Sequence, residues 1–406
     1  MKCGLLGEKL GHSYSPQIHA ELADYEYRLY EKAPDAVEDF VRNGDWHGLN
    51  VTIPYKKTVI PFCDALSETA AEIGSVNTLL RRPDGTIFGD NTDAFGFETL
   101  LTRTVPGSIA GWKALVLGTG GASVTVCAVL RRRGAEVVTI SRSGENNYQN
   151  LDRHADARLL VNTTPVGMYP KTGVSPVELS AFPRLRCVLD VVYNPARTAL
   201  LLQAEARGIP HAGGLVMLVA QAKRSSEIFL GNTLPDGEIP RITALLSASM
   251  QNIILVGMPG CGKSTVGALL AEKLNRPLLE ADAELVKTAG MPIQVIFENE
   301  GEAGFRRRET GTLSELGKRS GAVISTGGGC VTRSENYPLL HQNGTIVWLR
   351  RDLDKLAREG RPLSLNADLS AMYAVREPLY ARFADFTVEN TGTPAETVDA
   401  ILEVLR

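Results

Sequence analysis

ILVGMPGCGKST, residues 254–265, reads as the end of an apolar strand, a glycine-rich loop and the start of a helix. Gly257, Gly262, Lys263 and Ser264 satisfy the spacing G-x-x-x-x-G-K-[ST], and Val266, Leu269, Leu270 and Leu274 then recur on one helical face. A loop of this kind turns backbone N–H groups and a helix N-terminus toward phosphates. Its lysine reaches the β/γ pair of a nucleoside triphosphate and its serine hydroxyl binds Mg²⁺. Gly260, Gly262, Lys263, Ser264 and Thr265 are therefore the expected ATP-binding set. The loop names a nucleoside triphosphatase or kinase and leaves the acceptor open.

A second glycine turn lies upstream. LVLGTGGA, residues 115–122, follows an apolar strand with Gly118, Gly120 and Gly121, and opens a helix from about Ala122. Strand-like runs follow at 136–140, 158–161 and 187–191, the alternation of a parallel α/β sheet. About 20 residues past the turn, an NAD enzyme places an acid for the ribose 2′-hydroxyl. Here Ser141, Arg142 and Ser143 stand instead, and a guanidinium with hydroxyls suits the 2′-phosphate of NADP(H).

Working outward, residues 1–105 have alternating elements of their own and read as a separate substrate lobe. The dinucleotide domain is expected over 106–217, with helices at about 218–248 packing back on the first lobe. The small residues SASM, 247–250, mark a boundary, and a third domain is expected over 251–406. Thr393, Pro394 and Glu396 give an N-cap, an N1 proline and a capping-box acid to a last helix.

Composition excludes several classes. A chain of 406 residues with a formal charge of −3 has no basic stripe for nucleic acid, and Arg131, Arg132 and Arg133 read as the solvated end of a helix before Gly134. No run approaches the roughly 20 apolar residues of a membrane span, and the N-terminus lacks a signal-peptide layout. Six scattered cysteines without a CxxC pair, and six histidines without ligand spacing, point to a reduced, cytoplasmic setting with no structural zinc. Oligomeric state is not read from the sequence.

Residues 1–245 resemble shikimate dehydrogenases. GHSYSPQIH carries the family's S-x-S-P, NVTIPYK its N-V-T-x-P-x-K, GSVNTL its V-N-T and GDNTDAFGF its D-N-T-D-x-x-G; NTTPVGM, DVVYNP and GGLVMLVAQA follow in order. The resemblance implies that Lys56 is the catalytic lysine and Asp93 its partner. It implies that Ser13, Ser15, Thr52, Asn77 and Gln221 bind the substrate's hydroxyls and carboxylate, and that Tyr193 meets substrate and cofactor. Asn162, Thr163 and Met217 are expected on the nicotinamide side. Tyr14 and Ser141 depart from the family's usual leucine and asparagine.

Residues 251–406 resemble shikimate kinases: FRRRE holds the family's F-R-R, TGGGC its G-G-G, GRPL its lid arginine at Arg361 and REPLY the arginine before P-L-Y. The resemblance gives Asp282 the role of base. Arg306 and Arg376 clamp the substrate with Gly328 and Gly329, and Arg361 closes on the transferring phosphoryl group. Glu280 stands where the family's first aspartate holds Mg²⁺, directly or through water.

The expected fold class is α/β: an α/β substrate lobe, a Rossmann NADP domain, and a P-loop domain like those of nucleoside monophosphate kinases. The expected function is bifunctional, in aromatic amino-acid biosynthesis: 3-dehydroshikimate and NADPH give shikimate, then ATP gives shikimate 3-phosphate. Rival readings are an NAD-preferring quinate/shikimate dehydrogenase in the first half, a kinase for another small polyol in the second, and a half that has lost catalysis.

Overall fold

The structure, a computed structural model, describes residues 1–11, 13–356 and 368–405. Arg361 lies outside the described residues. The chain forms two compact units, Met1–Met168 with Val174–Tyr193 and Leu200–Leu246, and Tyr169–Gly173 with Asn194–Ala199 and Ser247–Arg406.

The first unit holds two sheets. In the N-terminal one, β1 (Lys2–Gly7), β2 (Glu26–Glu31), β3 (Gly48–Val51), β4 (Ala65–Leu66), β5 (Thr78–Arg81) and β6 (Ile87–Asp90) run in the order β2-β1-β3-β5-β6-β4. β1 pairs in parallel with β2 and β3, whereas β5 is antiparallel to both its neighbours. The second sheet comprises β7 (Lys113–Leu117), β8 (Glu136–Ile140), β9 (Leu159–Asn162), β10 (Cys187–Asp190) and β11 (His211–Ala212), all parallel, in the order β11-β10-β9-β7-β8.

Why these strands read as continuous apolar runs follows from their two covered faces. Ala114, Val116, Val161 and Leu189 enter one core, while Leu115, Leu117, Leu160 and Val188 enter another on the opposite face. The period of two sorts one run into two cores. The helix Leu215–Leu230 reaches the first sheet, since His47 Nε2 lies 3.0 Å from the carbonyl oxygen of Phe229. Arg241, in the helix Glu238–Met250, donates to Glu21 Oε2 at 2.8 Å.

One buried group makes this unit sensitive to acid. His19 is fully buried, stacked on Tyr27 with ring centroids 3.9 Å apart, and its Nδ1 lies 2.6 Å from the Tyr25 hydroxyl. Burial pushes its pKa down to about 3. In the unfolded chain the imidazole takes a proton near pH 6.5, so stability is full above that pH. It is lost as pH falls toward the folded value, by roughly 1.4 kcal/mol per pH unit. Denaturant unfolding of the first unit at pH 7 and pH 5 should show this loss in the wild type and a smaller one in His19→Gln.

In the second unit β12 (Asn252–Val256), β13 (Leu278–Glu280), β14 (Val323–Ser325), β15 (Gly344–Arg350) and β16 (Phe386–Glu389) form a parallel sheet ordered β13-β14-β12-β15-β16. The SASM stretch follows directly on the division between the two units, which falls between Leu246 and Ser247. It is the last turn of the helix Glu238–Met250, with Met250 buried and its carbonyl accepting the Gly321 N–H at 2.8 Å. Serine and alanine are tolerated in helices, and burial of Met250 fixes the turn. Among the described residues no helix is long and apolar enough to cross a membrane.

Candidate active sites

Lys56 follows β3 in a turn with a cis Ile53–Pro54 bond, and its carbonyl accepts the Val76 N–H at 2.8 Å. Asp93 opens the helix Asp93–Thr104, where the helix dipole favours a carboxylate. Lys56 Nζ donates to Asp93 Oδ2 at 2.5 Å, with the two side chains 21% and 12% exposed. Both charges leave water only partly and compensate each other. The ammonium is thereby held in one place.

Asn77 is pinned beside this pair. Its Oδ1 accepts the Thr92 N–H at 2.7 Å, and its Nδ2 donates to Thr92 Oγ1 at 3.0 Å and faces Gln221 Oε1 at 3.5 Å. Behind Asn77 runs a polar chain that sequence reasoning missed: Ser225 Oγ lies 2.9 Å from Thr92 Oγ1 and accepts from Asn50 Nδ2 at 2.7 Å, while Asn50 Oδ1 accepts from the Tyr27 hydroxyl at 2.8 Å. The Ser13–Ser15 turn is held locally. Ser13 Oγ accepts the Ser15 N–H at 3.2 Å, and Tyr14 meets Tyr193 edge to face at 6.0 Å. Thr52 is fixed by its N–H to the Leu6 carbonyl at 2.9 Å. A buried hydrogen-bonded network of this sort rigidifies the groups it ends on.

At the glycine turn, Gly118 has φ +105°, which favours glycine, and Gly120 caps the helix Gly121–Arg132. A Cβ at Gly120 or Gly121 would meet nothing within 4 Å, so the helix N-terminus is open to a phosphate. Ala122 sits half-buried in the first turn. Ser141 Oγ accepts the Gly144 N–H at 2.7 Å, closing a turn on which Arg142 stands exposed. Two residues expected on the nicotinamide side spend their polar side-chain atoms on the protein itself. Asn162 is fully buried, donating to Asp190 Oδ1 at 3.0 Å and accepting from the Thr164 hydroxyl at 2.7 Å, and Thr163 Oγ1 donates to the Leu117 carbonyl at 2.6 Å. Their polar atoms brace the loop after β9. Met217 is buried in the core that holds Ala94 and Phe97.

In the second unit the phosphate loop borders a cleft of about 940 Å³. Gly260 and Gly262 have φ of +86° and +97°, and Gly262 caps the helix Lys263–Leu274. Ser264 and Thr265 are exposed on its first turn. Lys263 is buried and folds back on the loop, donating to the carbonyls of Gly257 at 2.9 Å and Met258 at 3.1 Å. A buried ammonium needs such acceptors.

Across the cleft Arg306 Nη1 donates to Glu309 Oε2 at 2.7 Å, and Arg376 Nη1 donates to the Gly328 carbonyl at 3.2 Å. A Cβ at Gly329 would lie 2.1 Å from Arg306 Nη2, so only glycine lets the guanidinium lie on this backbone. A Cβ at Gly327 would lie 2.6 Å from Glu309 Oε1 and 3.0 Å from Asp282 Oδ1, which places both carboxylates at one point. Glu309 is the acid sequence reasoning left out. Burial pushes its carboxyl above the usual range, Arg306 pulls it back, and Asp282 adds to the upward push. Its signal was the i, i+3 spacing in FRRRE. Glu280 lines the same cleft at the end of β13. Among the described residues no three His, Cys, Asp or Glu side chains gather around a metal position.

A shikimate dehydrogenase (NADP(+)) of Clostridium perfringens is 36% identical over 250 residues, covering 56% of this chain and 92% of that protein. The chain belongs to the shikimate dehydrogenase family. Another shikimate dehydrogenase (NADP(+)), from Oleidesulfovibrio alaskensis, is 37% identical over 271 residues and covers 61% of this chain and 95% of its own. Among solved structures, shikimate dehydrogenase 1 of Peptoclostridium difficile matches at 33% identity with a TM-score of 0.55, over 60% of this chain and 97% of that one. The Thermus thermophilus shikimate 5-dehydrogenase solved with NADP(H) and shikimate matches at 31% and a TM-score of 0.55, over 60% and 98%. The family model for the shikimate dehydrogenase substrate binding domain matches residues 5–79, a span that includes Ser13, Thr52, Lys56 and Asn77. The shikimate kinase family model matches residues 259–406, from Pro259 of the phosphate loop onward. The part of the chain related to shikimate dehydrogenases is thus fused to a shikimate kinase domain.

Proposed function

We propose that the chain catalyses two consecutive reactions, NADPH-dependent reduction of 3-dehydroshikimate to shikimate and ATP-dependent phosphorylation of shikimate to shikimate 3-phosphate. The observation that carries the reading is the Lys56–Asp93 pair beside Asn77 in the half related to NADP-dependent shikimate dehydrogenases, ahead of a phosphate loop facing Arg306 and Asp282 in the half matching shikimate kinases.

When bound, NADPH would be the source of a hydride for the carbonyl carbon. Lys56 gives the proton to the oxygen, and Asp93 keeps the ammonium oriented toward it. Asn77, Gln221, Ser13, Ser15 and Thr52 receive the hydroxyls and carboxylate, with Tyr193 at the junction with the cofactor. The open backbone of Gly120 and Gly121 takes the pyrophosphate, and Arg142 the 2′-phosphate. Arg142→Ala should therefore raise KM for NADPH about tenfold or more and leave KM for NADH nearly unchanged, as read from initial rates with each cofactor.

In the second site the residues fit Mg²⁺ and ATP in the manner of phosphate loops, where the metal keeps water and nucleotide oxygens and takes few from the protein. Ser264 and Glu280 would hold the metal, Glu280 directly or through water. The helix N-terminus at Gly262, with Ser264 and Thr265, cradles the phosphates, and Lys263 exchanges its loop carbonyls for phosphate oxygens. Arg306 and Arg376 bind the carboxylate of shikimate, and Asp282 accepts the proton of the attacking hydroxyl. Arg361 belongs to this proposal by sequence alone. ADP release measured with shikimate, quinate and gluconate tests the acceptor: turnover with shikimate above the others supports the reading, and preference for another polyol refutes it.

A further inference from the structure

Arg306 meets two carboxylates of unlike character. Glu309, three residues on, is 2% exposed and accepts from Nη1 at 2.7 Å, a buried partner fixed in the fold. Glu302, four residues back, is 68% exposed and reaches Nη2 only at 3.3 Å. The guanidinium borders the cleft but is largely buried. Its Nε is buried without a partner, and the Gly329 backbone lies against both terminal nitrogens. With Nη1 held by the buried Glu309 and Nε enclosed, Nη2, the nitrogen the exposed Glu302 contacts, is the position at which a carboxylate from outside can pair.

We propose that Glu302 competes with the acceptor's carboxylate for Arg306, so that acceptor binding exchanges a carboxylate of the protein for one of the ligand. The proposal rests on the shikimate kinase reading of this cleft, which Glu302 also lines. The exchange is built to cost little. The helix Ile293–Gly317 breaks at Gly301, whose φ of +66° and ψ of −176° are not helical, and Glu302 follows the break. A carboxylate at the start of a helical segment keeps a favourable position beside the free N–H groups after leaving Arg306. Exposed ion pairs are also individually weak. A competitor this weak tunes affinity without blocking the site, and it acts against ligands that bring a carboxylate.

Steady-state ADP formation by the full chain against shikimate, at saturating ATP, tests this in Glu302→Gln. KM for shikimate should fall about two- to fivefold, the range of an exposed ion pair, with the change in KM and not in kcat. Shikimate methyl ester, which has no free carboxylate, should show no such gain. An unchanged or raised KM in an active variant overturns the competition, and so does an equal gain with the ester. If the wild-type chain forms no ADP with shikimate, the kinase reading fails and the competition with it. An active wild type with an unmoved variant refutes the competition alone.

Discussion

Lys56→Ala should lower NADPH oxidation with 3-dehydroshikimate by about 10²- to 10⁴-fold, the usual worth of a positioned general acid, while ADP formation with added shikimate continues at the wild-type rate. The lysine is the ammonium held at the site by Asp93, at 2.5 Å, and nothing in the Asn77–Thr92–Ser225 chain behind it can donate a proton of comparable acidity. Alanine also leaves Asp93 a partly buried carboxylate without its cation. That penalty falls on stability, so thermal unfolding of the first unit separates it from chemistry. A folded Lys56→Ala that kept a tenth or more of its dehydrogenase rate would remove Lys56 from the role given to it.

The second large effect is the converse. Lys263→Ala should cut ATP-dependent phosphorylation by about 10²- to 10³-fold, as removal of one preorganised charge-stabilising donor does elsewhere, and spare the NADPH reaction. The structure shows what else is lost. Lys263 satisfies the carbonyls of Gly257 and Met258 from a buried position, so alanine also loosens the loop. Lys263→Arg keeps a cation but cannot reproduce a point charge at the same reach, and should recover loop stability more than rate. Both readouts belong on the same preparation.

Much of the architecture was visible in the chain because its strands bury two faces. ALVL at 114–117 and IILV at 253–256 are apolar without alternation, and each feeds straight into a glycine loop that opens a helix. The small residues at 247–250 marked the boundary between the two units, but their helical state rests in part on a contact remote in sequence, the Gly321 N–H on the Met250 carbonyl. The same remoteness hid the polar chain through Asn50 and Ser225, which lie 175 residues apart. Short motifs marked where Asn162 and Lys263 fall but not where their polar atoms point. Asn162 turns to Asp190, and Lys263 turns to its own loop. Glu309 was in plain view in FRRRE, yet its part depends on burial against Gly327, which spacing does not report.

The fusion itself is tested most directly in one vessel. The purified chain is given 3-dehydroshikimate, NADPH and ATP, and NADPH absorbance and ADP are followed together. NADPH oxidation should begin at once and ADP should follow it, reaching equal amounts, with no ADP formed when NADPH is withheld. ADP that appears without NADPH, or NADPH oxidation whose product the same chain leaves unphosphorylated, would contradict two consecutive activities in one chain.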